Sequence, residues 1–472
     1  MTNHRPLHGP AATTVLSVLL ACAGAIAFPP TSAAAATTPC AAGVPVPGDY
    51  DGDGRPEQLI GVVGLGDSHD WVRYRVVPGD GGAAEWLYLG GSMGNADLNG
   101  DVCSDLVNST GVSARLILGG PNGLDAATAQ TLVLPQSADV EPGGTEGLVV
   151  ADAVGLRHDG ISQVAVAAYF DDEGPQGTPF LDVFTLDATG APGTPQVITL
   201  GSVASSEAIV LAASGRTVAL GLADLTVAGK VSAGGVMMFT ADRANPATLV
   251  HRTTITQNSP GIPGTAEKGD RFGYALSMRD GRLAIGAPGE SIGKARSAGS
   301  VQPLRWDEDT ATWTAYRRIE QSTKGVVGTN ETNDWFGYTV AVTRGLTAAG
   351  SYDIAIGARE AVGKARDAGS VTVANFTKAS YRTLTQNSRG IPGSAEKDDY
   401  FGASLSVVWS AATIDTLLIG APHERATGPR EVGSVIRSDG RKLSSSTKWT
   451  SIPRPEPTAS VVYESWGTAF AA

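Results

Sequence analysis

The segment Asp49-Tyr50-Asp51-Gly52-Asp53-Gly54-Arg55-Pro56-Glu57 puts carboxylates at positions 1, 3, 5 and 9 of one short stretch. The carbonyl of Arg55 is available at position 7, and Gly54 stands at position 6, where a ligand-wrapping loop must turn sharply. Crowded carboxylates repel one another unless a cation sits among them. Calcium, a hard ion taking about six to eight oxygens, suits this donor set. Asp97-Leu98-Asn99-Gly100-Asp101-Val102-Cys103-Ser104-Asp105 repeats the spacing. Its side-chain donors are Asp97, Asn99, Asp101 and Asp105, and Cys103 lends its carbonyl. Val102 replaces glycine at position 6, and a β-branched residue resists the positive φ expected there. Later units lose this chemistry. The turn Gly155-Leu156-Arg157-His158-Asp159-Gly160 carries arginine at a ligand position, and Asp280-Gly281 is a bare hairpin turn. Two Ca2+ sites are therefore expected, both in the N-terminal third.

The elements that must position these loops are short. Apolar runs end in Gly, Pro, Asp or Asn, and 60 Gly and 27 Pro argue for strands rather than amphipathic helices. A phrase recurs at Phe272-Gly273, Phe336-Gly337 and Phe401-Gly402, each followed by a Gly-Ala run and a Gly-Ser-Val. The clear repeats are 272–335, 336–400 and 401–465. Each holds four strand-like runs, the size of a propeller blade. Weaker copies at the same period lead back to residue 46, giving seven units. Trp466-Gly467 begins the phrase once more. It either completes the first unit, which lacks a Phe-Gly strand, or is an unpaired tail; closure protects strand edges and is preferred.

Phe-Gly, an Asp-x-Asp-Gly-Asp-Gly loop and Gly-Ala-Pro, in units of this length, resemble the FG-GAP repeat of integrin α-subunit heads and of secreted bacterial proteins. The resemblance spans most of residues 44–472, although the units with calcium loops lack the Phe-Gly and Gly-Ala-Pro signatures. It implies an all-β fold, a seven-bladed β-propeller of four-stranded blades, closed by the C-terminal strand. It also implies that calcium loops join strands one and two on one face, while strand two–three loops and linkers form the opposite, ligand-binding face. On that face Lys294, Arg296, Lys364, Arg366, Glu424 and Arg425 become candidate contact residues, with linker acids Glu267, Asp270, Glu331, Asp334, Glu396 and Asp399 nearby. Solvated loop charges or pairs between blades are the plainer alternative. Phe272, Phe336 and Phe401 are expected in the core.

Residues 1–36 read as a secretory signal, with Ala34-Ala35-Ala36 before the cleavage point, and 37–43 as a lead-in. Leu19-Leu20-Ala21-Cys22 offers lipoprotein anchoring through Cys22 as the alternative. Cys40 and Cys103 are then either a disulfide or two free thiols. A net charge of −12 without a basic patch excludes a nucleic-acid partner, and no later segment is long and apolar enough to span a membrane. His69, His158, His251 and His423 lack zinc-pair spacing, and no catalytic residue is nominated. The expected function is a secreted, monomeric, calcium-binding adhesion scaffold for an extracellular protein or polysaccharide. An enzyme acting on extracellular polysaccharide, a lyase or glycosidase, is the alternative. It requires two carboxylates, or a Tyr/His/Arg group, converging from different blades near the central channel.

Overall fold

A computed structural model describes residues 40, 46–65, 70–77, 85–87, 93–109, 113–136, 148–170, 179–200, 209–409, 414–425, 433–444, 446–452 and 463–470. The signal segment, Cys22 and all of the lead-in but Cys40 lie outside them. The described residues form seven four-stranded antiparallel sheets, consistent with a β-propeller, and one short 3-10 turn at Ala126–Thr128. No described helix is long and apolar enough to cross a membrane.

The first sheet contains Gln58–Leu65, Asp70–Val77 and Glu85–Leu87, and the C-terminal strand Tyr463–Phe470 pairs antiparallel with Gln58–Leu65. The second contains Met93–Ala96, Asp105–Ser109, Ala114–Ile117 and Gln130–Leu132. The third begins with the long hairpin Leu148–His158 and Ile161–Phe170. The fourth to seventh begin at Ile209, Ala275, Thr339 and Ser404.

Each sheet is covered on both faces. Leu106 and Ile117 of the second sheet pack on Tyr50 and Leu59 of the first. Leu116 and Val107 pack on Val164 and Phe184 of the third, which turns Leu181 and Val183 toward Leu220 and Phe239 of the fourth. The sharing continues from fourth to fifth, fifth to sixth and sixth to seventh. It returns to the first sheet, where Ile60 meets Leu418, Val435 and Ile452 of the seventh. Two-sided burial explains why many of these strands read as continuous apolar runs rather than alternating ones.

The recurrent phrase marks the joints. Phe272, Phe336 and Phe401 are at most 1% exposed. Their backbones lie against glycines of the preceding sheet: Gly299 bridges Phe336 in parallel, and a Cβ at Gly299 would overlap the Phe336 backbone. Gly337 follows with φ +87°, a left-handed conformation open to glycine at little cost, and a Cβ there would crowd the Ser300 carbonyl and Val301. Linkers hook backward in the same way, Trp335 N–H to Ser297 O (3.0 Å) and Phe336 N–H to Ala298 O (2.9 Å).

Deleting residues 463–470 leaves Gln58–Leu65 with an open edge. The expected outcome is a lower and less cooperative thermal transition, with aggregation at concentrations where the whole chain stays monodisperse. An unchanged melt and scattering profile would contradict the pairing.

Candidate functional site: acidic loops and an arginine-centred aromatic cluster

The loop 49–57 enters the strand Gln58–Leu65, and the loop 97–105 joins Met93–Ala96 to Asp105–Ser109. Three bonds recur at the same offsets in both. Position 2 donates its N–H to the carboxylate at 9 (Tyr50 to Glu57 and Leu98 to Asp105, both 2.6 Å). Position 5 donates to 3 (Asp53 to Asp51 and Asp101 to Asn99, both 3.0 Å). Position 7 donates to 5 (Arg55 to Asp53, 2.7 Å; Cys103 to Asp101, 3.0 Å). Tyr50 and Leu98, each 1% exposed, anchor the two loops in the core. Val102 adopts φ +80°, beside +84° for Gly54, so the second loop keeps the wrapped shape against the preference of its β-branched residue.

The loops differ in what their oxygens face. Carboxylate oxygens of Asp49, Asp51, Asp53 and Glu57 lie within 4.8 Å of one another. Asp49 is 3% exposed, and its Oδ1 is buried without a hydrogen-bond partner. Burial, then the neighbouring negative charges, pushes the Asp49 carboxyl up and the Glu57 carboxyl up to about 7. An all-oxygen set with a buried, unpartnered anionic atom fits a hard divalent cation. In the second loop both Asp97 oxygens are engaged, Oδ1 by Gly100 N–H (2.7 Å) and Oδ2 by the guanidinium of Arg157 (2.9 Å). Asn99 Nδ2 donates to Asp101 Oδ2 at 3.1 Å, and Gly119 N–H takes Asp105 Oδ1 at 2.9 Å. Burial raises Asp105 to about 7.

A disulfide links Cys40 to Cys103 with Cα atoms 5.7 Å apart, an ordinary separation for the bond, and ties the lead-in to the second loop. The loops also meet directly, Ser104 N–H to Asp49 O (2.8 Å) and Gly48 N–H to Ser104 Oγ (2.9 Å).

The residues of the expected contact face fall into an exposed and a buried group. Lys294, Arg296, Lys364 and Arg366 are exposed, but the carbonyls of Arg296 and Arg366 hold linker N–H groups of Asn333 and Asp398 (both 2.9 Å). Arg425 is half-buried. Glu424 is buried and accepts from Gln386 Nε2, as Glu290 accepts from Gln257. Asp270, Asp334 and Asp399 are also buried, receiving the N–H of Glu267, Glu331 and Glu396 at 2.6, 2.7 and 2.5 Å. Glu290 and Glu424 tie their loops to linker glutamines, and Asp270, Asp334 and Asp399 brace the linkers themselves.

Sequence reasoning missed a cluster at the same end of the sheets. Arg359, standing where the other clear repeats have proline, lies over the rings of Trp335 (4.4 Å), Tyr400 (5.0 Å) and Tyr338 (5.6 Å). His423 meets Tyr400 edge-on at 5.0 Å. Arg359 Nε and Tyr338 Oη are buried without partners. Trp335 and Tyr400, at φ +51° and +54°, immediately precede Phe-Gly. Bulky residues before that glycine, together with the Arg-for-Pro exchange, were the available signal.

No family model and no curated protein matches the chain. Among solved structures it is similar to a mutant of the Synechocystis apocarotenoid oxygenase, at 10% identity over 87% of this chain and 92% of that one (TM-score 0.41). It is also similar to an α-L-arabinofuranosidase from Clostridium thermocellum, at 9% identity over 48% and 72% (TM-score 0.27). A luciferin-regenerating enzyme follows at 11% over 65% and 87% (TM-score 0.32). Likeness at this level assigns no activity or ligand. The expected adhesion scaffold for protein or glycan partners is corrected by the geometry instead: Glu424, Asp270, Asp334 and Asp399 are buried in joints rather than presented on the expected face.

Glu290 faces Gln257, Arg318, Asp270 and Glu267, and Glu424 faces Gln386, Asp399 and Glu396; burial is the main reason that each rises to about 7. A folded-state value above the unfolded one favours the protonated native state, so their contribution is full below pH ~4.5 and lost as pH rises through ~7. With calcium saturating, the E290Q/E424Q double variant is expected to lose part of the wild type's fall in melting temperature between pH 5.5 and 8. Parallel pH curves would contradict this.

Proposed function

We propose that this is a calcium-binding propeller of the FG-GAP kind, its seven sheets forming the blades of one closed ring. The carrying observation is the convergence of Asp49, Asp51, Asp53 and Glu57 around the buried, unpartnered Asp49 Oδ1. Calcium there draws on these carboxylates and the Arg55 carbonyl, and stiffens the joint between the first two blades. The second loop, with Asp97, Asn99, Asp101, Asp105 and the Cys103 carbonyl, has the same fold but less open donors. Export through residues 1–36, by a cleaved signal or by anchoring at Cys22, agrees with a disulfide beside a calcium loop. Chelation with EDTA is expected to lower the melting temperature by several degrees, and calcium in excess to restore it, while D49N removes most of the response. A melt indifferent to both reagents would sink the reading.

A second reading rests on the Arg359 cluster, which brings Tyr, His and Arg together from the sixth and seventh sheets. It is an enzyme acting on an acidic polysaccharide. Arg359 neutralises a uronate carboxylate, His423 takes the proton α to it, and solvent protonates the departing glycosidic oxygen. The C–O bond breaks as the C=C bond forms, with no oxidant required. Wild-type protein is expected to generate unsaturated uronate ends from an acidic polysaccharide, and H423A to lose at least about a hundredfold in kcat with little change in KM. Absence of product across a panel of uronate polymers would end this reading.

A further inference from the structure

We infer that Arg157 is a built-in cation of the second acidic loop and holds the protein to one tight calcium site. The inference rests on the calcium reading of the first loop. Arg157 occupies position 3 of the third unit's turn, where the first two units have Asp51 and Asn99. That turn has collapsed to a tight hairpin through Asp159 and Gly160, φ +50° and +76°, and has no loop to wrap an ion. The side chain instead reaches back to the preceding sheet and sets Nη1 2.9 Å from Asp97 Oδ2. Asp97 is 6% exposed at its side chain and Arg157 38%, so one end of the pair is buried and the other can swing to solvent.

Two further observations support the assignment. A Cβ on Gly100 would overlap the guanidinium, so the loop leaves space for this arginine. Leu98 of the loop packs over Gly155 at the base of the same hairpin, which fixes the distance between loop and arginine. Among the described residues no ion pair reaches the first loop, and the equivalent residue of the second unit is the uncharged Asn99. A divalent ion entering the second loop must displace a guanidinium from a buried carboxylate and then share a small volume with it, and both steps oppose binding.

Calcium titration by calorimetry, with folding checked by circular dichroism, tests this on the whole protein. Wild type is expected to bind one equivalent tightly, and R157Q two. D97N, which alters only the second loop, leaves wild-type stoichiometry at one, whereas D49N abolishes tight binding. Two tight equivalents in wild type, a loss of one on D97N, or a single site in R157Q overturns the role of Arg157 and leaves the first loop's reading intact. No binding by wild type and R157Q alike overturns the calcium reading itself. Should R157Q fail to fold, R157K and D97N carry the test: R157K keeps the charge and is expected to bind one equivalent.

Discussion

Every sheet needs a neighbour on both faces, and that requirement governs the molecule. A twisted four-stranded sheet with two apolar faces is insoluble alone, and a row of such sheets leaves two bare ends. The chain removes both ends by bringing Ile60 against Leu418, Val435 and Ile452. Once sheets are joined in this way, the joints cannot be loose. Glycines such as Gly299 and Gly337 let backbones approach without intervening side chains, and Phe336 fills what remains.

The joint between the first two sheets carries covalent and polar links beside its apolar contact. From the third sheet onward, described clusters such as those around Phe239 and Phe401 are broad and apolar. Between the first and second sheets the described cluster is Tyr50, Leu59, Leu106 and Ile117. There the disulfide, the Ser104–Asp49 backbone bond and the acidic loops add cross-links to the apolar contact.

Much of this was legible in the sequence because period and spacing are local. The phrase around Phe272, Phe336 and Phe401 announced the joints, and alternating acids at 49–57 and 97–105 announced wrapped loops. What could not be read depends on which turns lie side by side. Arg157 looked like a lost ligand of its own turn, and its meeting with Asp97 follows from packing of the third sheet on the second. Glu424 looked like a surface charge because its loop is polar, but the neighbouring linker covers it with Gln386. Val102 argued against a wrapped loop. Its own preference was outweighed by the hydrogen bonds of Asp101 and Asp105 and by the disulfide at the next residue.

The pairing of Leu65 with Tyr463 joins positions about 400 residues apart in sequence. The contact that completes the first sheet is therefore made long after Gln58–Leu65 has left the ribosome. Until residues 463–470 follow, Gln58–Leu65 lacks that partner, and until the seventh sheet is made nothing from it covers Ile60. The chain must keep an early strand edge unspent while six further sheets are made, so assembly order, as much as final contacts, constrains what that strand can be.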